Sequence, residues 1–200
     1  MQMPANGHRA HGFSSVHFLD SDEIIQELNL NGNEIFMDAG CGDGHNAIKV
    51  LEDYNHKGLV YAVDVYDASI EDMETYKKEN NVENLINIEA DITEGIPGVD
   101  DESVDVVLMV NVFHGFKASR KIDEAIEELK RIIKKDGKIA IMDYKAWDVP
   151  NGPPTPVRSS PDELEEFFNN HGLKKVYLNE EIGEDIPEGK SHYLIMFKKE

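Results

Sequence analysis

Apolar residues fall along the chain in two alternating rhythms. Five short runs, EIFMDA (34–39), GLVYAVDV (58–65), LINIEA (85–90), VDVVLMVNV (104–112) and KIAIMDY (138–144), are apolar and rich in β-branched residues. That is the pattern of strands buried on both faces. Between most of them the spacing becomes helical. Ile70 and Met73 mark a helix within 66–81, and Ile122, Ile126, Leu129 and Ile133 line one face of another that Gly137 is expected to end. A later helix is announced by SSPDELEEFF (159–168), where Ser160 can cap, Pro161 fits the first helical position and Glu163 completes a capping box; Gly172 then stops it.

Strands separated by helices pair in parallel, because each helix is the crossover that covers the sheet. The predicted fold class is α/β: an open, doubly wound, Rossmann-like sandwich. The tail breaks the rhythm. KKVYLNE (174–180) and SHYLIMFKK (191–199) are strand-like and joined by a Gly- and acid-rich loop with no helix, so they predict an antiparallel hairpin at one edge of a seven-stranded, mostly parallel sheet. At 200 residues the chain suits one domain. Its parts are an amino-terminal segment and helix (1–30), a core (31–145), and a loop, helix and hairpin (146–200). The first twenty or so residues and the stretch 146–160 are loop-like, and such excursions carry binding sites in sheets of this kind.

Charge narrows the partners. The formal net charge is -20 at pH 7, and no basic stripe interleaved with aromatic residues offsets it, so nucleic acid is not expected as a partner. The amino terminus lacks the basic start and apolar stretch of a signal peptide, and the run VVLMV is too short to span a bilayer. A cytoplasmic protein without a membrane partner is the expectation. The single cysteine, Cys41, excludes an internal disulfide framework, and the histidine spacing matches no ordinary zinc pattern, so no metal is expected.

The chemistry concentrates after the first run. Asp38 is followed by Gly40, Gly42 and Gly44, where a strand gives way to a helix. Such a turn leaves backbone exposed to a ligand with no Cβ in the way. The dinucleotide pattern G-x-G-x-x-G would need glycine at position 45, which is His45. The pattern D-x-G-x-G-x-G instead closely resembles motif I of the class I S-adenosylmethionine-dependent methyltransferases. Asp64 ends the second strand about twenty residues past the loop, where a carboxylate can accept from ribose hydroxyls. Asn111 and His114 match the N-x-x-H that follows the fourth strand in many methyltransferases. The nearest resemblance within the family is to small-molecule enzymes of ubiquinone and menaquinone biosynthesis.

The resemblance implies a donor, S-adenosyl-L-methionine, and a product, S-adenosyl-L-homocysteine, held by Asp38, Gly40, Cys41, Gly42, Gly44, Asp64, Asp91, Ile92 and Asn111. Asp38 would lie near the donor's ammonium, Asp91 would contact the adenine amino group, and Ile92 would pack near the base. The acceptor is expected to be a small molecule, bordered by His17, His114, Tyr144 and Trp147, with His114 the candidate base. His8, His11, His17, Phe13 and Phe18 could fold over the donor as a lid. NGPP (151–154) lacks the aromatic residue and the position of the motif found in amino-methylating nucleic-acid enzymes, and reads as a proline-stiffened loop. Three alternatives stay open: a nicotinamide-dependent oxidoreductase, a non-catalytic donor-binding sensor, and a methyltransferase acting on protein side chains. The oligomeric state is not legible.

Overall fold

A computed structural model describes residues 19–54, 57–147 and 152–200. The strands are β1 (Phe36–Ala39), β2 (Val60–Asp64), β3 (Leu85–Glu89), β4 (Val104–Val110), β5 (Ile133–Tyr144), β6 (Leu173–Ile186) and β7 (Gly189–Lys199). The helices are α1 (Ser21–Glu27), α2 (His45–Asp53), α3 (Asp67–Glu79), α4 (Phe113–Ser119), α5 (Ile122–Ile132) and α6 (Pro161–Asn170). All seven strands form one sheet in the order β3-β2-β1-β4-β5-β7-β6. Pairing is parallel from β3 to β5 and antiparallel for β5 with β7 and β7 with β6. The predicted α/β sandwich and its antiparallel edge are therefore observed.

Alternation along each strand divides the core into two layers. Met37, Val107, Ile141 and Ile195 face one cluster with Phe116 of α4, Leu129 of α5 and Phe168 of α6. Phe36, Leu108, Met142 and Leu194 face the other, with Ile25 of α1, Val50 of α2 and Met73 of α3. Burial on both faces accounts for the near-continuous apolar runs, each large side chain contributing roughly 1.5–3 kcal/mol. Phe168 stacks on Phe197 with ring centroids 4.0 Å apart and fixes α6 to the inserted strand β7.

Several boundaries differ from the expectation. The helix over 122–135 ends at Ile132, and Ile133, with φ -71° and ψ 135°, is already extended and pairs with Val104. Gly137 is no helix stop. It lies inside β5, where a Cβ would come within 2.9 Å of the Asp105 carbonyl oxygen, so glycine serves close strand approach. The fourth run stops at Val110 because Asn111 takes a left-handed conformation, φ 57°, and a short helix, α4, follows that periodicity did not show. The loop expected between the last two runs is mostly strand: β6 and β7 pair as far as Ile186 and Gly189, through three register shifts that absorb the Gly- and acid-rich residues.

Candidate functional site

Strand order reverses between β1 and β4, so the loops after these two strands diverge and leave a crevice at their carboxyl ends. The glycine turn lies there. Gly40, Gly42 and Gly44 all have positive φ, but their surroundings differ. A Cβ on Gly40 would overlap Val112, and one on Gly44 would overlap Met73 of α3. A Cβ on Gly42 would meet nothing within 4 Å. Two glycines are thus explained by packing, and Gly42 is the one whose bare backbone faces open space.

Strand ends hold the turn in place. The amides of Gly40 and Cys41 both donate to Val63 O, at 2.7 and 2.9 Å, and the amide of Gly42 donates to Asp64 Oδ2 at 2.8 Å. The other oxygen of Asp64 accepts from Tyr66 N. Cys41 is 4% exposed, and burial, with the nearby Asp38 and Asp64 carboxylates, pushes its thiol up, so it is a small residue of a tight turn and no thiolate. Asp38 is 1% exposed; its Oδ2 accepts from Ala47 N at 3.1 Å, while Oδ1 has no donor among the described residues. Burial raises its pKa to about 7, against the smaller lowering effects of His45 and the Ala47 amide.

The other expected donor contacts are partly committed elsewhere. Asp91 Oδ1 accepts from Thr93 N and Thr93 Oγ1, capping the 3-10 turn Ile92–Glu94, and Lys121 Nζ lies 3.8 Å from its second oxygen. Ile92 is buried in the cluster beneath α5. Asn111 keeps its left-handed backbone with its amide on Met142 O, and its Oδ1 lies 3.1 Å from His192 Nε2.

His114 sits in the first turn of α4 rather than at a strand end. Its ring Nδ1 lies 2.9 and 3.1 Å from the two oxygens of Asp143, and its backbone amide donates to Asp143 Oδ2 at 2.9 Å. Burial drives Asp143 up, but the His114 ring and amide and the Tyr144 amide outweigh it, so the carboxyl is held below its ordinary range. An ionised carboxylate only accepts, so Nδ1 carries the hydrogen. Tyr144 is 5% exposed, with its ring centroid 4.1 Å from that of His192 and the Arg158 guanidinium 5.3 Å away on the ring. Trp147 is 37% exposed, with Lys145 Nζ 4.3 Å from its ring centroid.

Asp143, Lys145, Arg158 and His192, all buried, were missed from the sequence. Asp143 carried a signal, an acid inside an apolar strand run, and Lys145 follows it on the same face just past β5; His192 is brought in by the register of β7 and Arg158 by the 152–160 loop. His192 pairs with Tyr144 across the β5–β7 ladder, and burial pushes its imidazole down to about 4. Arg158 donates to Pro153 O and Trp147 O at 2.7 Å. His8, His11, Phe13, His17, Phe18 and Asn151 lie outside the described residues. Among the described residues no group of three His, Cys, Asp or Glu could hold a metal, and no helix is long and apolar enough to cross a membrane.

An open α/β sheet with a bare glycine turn and strand-end carboxylates at its switch point belongs to the class that binds ligands across that crevice. Residues 30–195 match the family model described as a methyltransferase domain, and the chain belongs to that family. It is 28% identical over 174 residues to a tRNA(Thr) (cytosine(32)-N(3))-methyltransferase of Saccharomyces cerevisiae, covering 74% of this chain and 26% of that protein. It is 24% identical to a tRNA N(3)-cytidine methyltransferase of Gallus gallus, covering 70% of this chain and 43% of that protein. The chain spans half or less of these curated relatives. A SAM-dependent methyltransferase from Aquifex aeolicus has the same fold, with a TM-score of 0.77 at 24% identity, covering 94% of this chain and 93% of that one.

The relatives overturn one expectation. Net charge argues against nucleic acid, and the resemblance to enzymes of ubiquinone and menaquinone biosynthesis implies a small-molecule acceptor; yet relatives of this domain are named for acting on tRNA. Net charge sums over the whole surface, whereas an acceptor meets only local groups. Cations here include Lys145 and Arg158 at the end of β5 and beside it.

Proposed function

We propose that this chain is an S-adenosylmethionine-dependent methyltransferase whose acceptor is a nucleobase of RNA. The observation that carries the donor assignment is Asp38, a carboxylate buried at the switch point with one oxygen lacking a donor among the described residues, beside the one glycine that faces open space. Such a carboxylate suits an ammonium group, and the positive end of α2 suits a carboxylate, the amides of Gly40, Cys41, Gly42 and Gly44 being already bonded, so the residues present fit the amino-acid end of the donor. Asp64 retains lone pairs for ribose hydroxyls. The donor supplies a methyl group on a sulfonium, open to in-line attack.

What the protein must add is placement and exclusion of water. Asp143 and the first turn of α4 orient His114, leaving Nε2 as the ring atom able to accept a hydrogen. For an acceptor atom that carries a proton, His114 Nε2 is the base; a ring nitrogen with a free lone pair needs none, and Nε2 then positions the nucleobase by accepting from a neighbouring N–H such as an exocyclic amine. The relatives' names support the RNA acceptor. The family match and His45 in place of the third glycine leave a nicotinamide enzyme without support.

The test has two arms. Calorimetric titration with S-adenosylmethionine, S-adenosylhomocysteine and nicotinamide dinucleotides is expected to show micromolar binding of the sulfonium pair alone; its absence overturns the donor assignment. Transfer of labelled methyl into tRNA, followed by nuclease digestion, is expected to give a methylated nucleoside. Donor binding without label in RNA overturns the acceptor assignment and favours a sensor.

A further inference from the structure

Lys145 stands out among the charged residues of the molecule. The β5–β7 ladder runs one residue past β5, with the Lys145 amide donating to Ser191 O at 3.0 Å, so alternation places Lys145 on the face that Asp143 and His114 occupy. The residue is only 5% exposed. Among the described residues its ammonium nevertheless has no carboxylate, carbonyl or hydroxyl partner, and its one contact is the Trp147 ring at 4.3 Å. Although the side chain as a whole is enclosed, its Nζ is not one of the atoms sealed from solvent without a partner, so the ammonium is the end of the residue that an anion can reach. Attraction to the indole face holds it there.

Arg158 is 4% exposed, and it and Lys145 both bear on His192 as cations. The carboxylates near them among the described residues are Asp143, which His114 already engages, and Glu184, which bears on Tyr144. A chain of net charge -20 thus brings two cations together at the acceptor end of its sheet. Trp147, the chain's sole tryptophan, is 37% exposed beside it. A phosphate answers the unpaired ammonium, and a base answers an exposed indole, whose stacking tolerates any sequence.

We propose that Lys145 and Trp147 form a nucleotide subsite next to the methyl-transfer centre, in which the Lys145 ammonium takes a phosphate and the indole stacks on the attached base. This rests on the RNA-acceptor reading and specifies it: the enzyme grips the nucleotide at the acceptor position, or its neighbour, through one phosphate. Among the described residues the Lys145 ammonium has no partner but the indole, so removing its charge should weaken the ligand far more than the fold. A purely structural lysine would behave in the opposite way.

Intrinsic fluorescence reads this subsite directly, since Trp147 is the one tryptophan. Cytidine 5′-monophosphate, cytidine and inorganic phosphate are titrated into the wild type, Lys145→Gln and Lys145→Arg, with S-adenosylhomocysteine binding and melting temperature measured on each. The monophosphate is expected to change the signal saturably. Lys145→Gln should weaken it about tenfold while leaving cytidine and S-adenosylhomocysteine binding unchanged and the melting temperature little changed, and Lys145→Arg should restore most of the affinity. No response to the monophosphate, or an equal affinity in Lys145→Gln, overturns the proposal. Inorganic phosphate binding as tightly as the monophosphate overturns the base-stacking half and leaves an anion site. Failure of S-adenosylhomocysteine to bind any of the proteins strikes the donor assignment and leaves the nucleotide result to stand alone.

Discussion

At the residue scale, the three glycines of one turn do different work, and the variants should separate it. Gly44→Ala adds a methyl group into Met73 at a position with φ 77°, and is expected to lower stability by about 2–4 kcal/mol in thermal melts. Gly42→Ala meets no neighbour and costs only the strain of a left-handed backbone, about 1 kcal/mol, yet should weaken S-adenosylhomocysteine binding because its methyl group occupies the ligand's approach. Asp38 gives a pH test. Its pKa rises from 3.8 to about 7 on folding, so between those values the folded state holds more proton than the unfolded one. Its contribution to stability is therefore full below 3.8, falls as pH rises to about 7, and is flat above. Asp38→Asn, which still accepts from Ala47 N, should gain on the wild type by about 1.4 kcal/mol per pH unit or less across that window. Donor affinity should fall below about pH 7 in the wild type, as the carboxylate protonates, and lose that dependence in the variant. The D-x-G-x-G-x-G spacing was legible in the sequence; which glycine faces open space was not, because Val112 and Met73 arrive from elsewhere in the chain.

At the scale of elements, local chemistry was read most fully at α6. Ser160 Oγ accepts from Glu163 N, Glu163 accepts in return from Ser160 N, and Pro161 opens the helix, as the spacing implied. Ser160→Ala should cost about 1 kcal/mol, seen as a lower melting temperature, without altering donor binding, since α6 packs under β7 rather than at the crevice. The helix α4 was missed for a physical reason. Its seven residues are too few to establish a period, and it begins only because Asn111 turns out of the strand with φ 57°. That single backbone choice moves His114 from a strand end onto a helix, where its amide and ring both reach Asp143.

At the scale of the whole molecule, like-charge repulsion is the main force acting against the folded state at the surface. The observed ion pairs are mainly at partly exposed positions, worth little each, and do not cancel a net charge of -20. Raising salt from about 10 mM to 0.5 M should therefore raise the melting temperature by screening that repulsion. The alternation of strands and helices, the antiparallel tail, the α6 cap and the glycine turn were determined by the sequence itself, since period, capping and turn chemistry act over a few neighbouring residues. The tertiary structure alone decided that His192 of β7 reaches Asn111, that Asp143 orients His114, that Gly137 lies against Asp105, and that Lys145 is enclosed beside Trp147 without a counter-charge among the described residues. Periodicity states which face a side chain takes; sheet order and register, set by the packing of the entire chain, decide what it meets there.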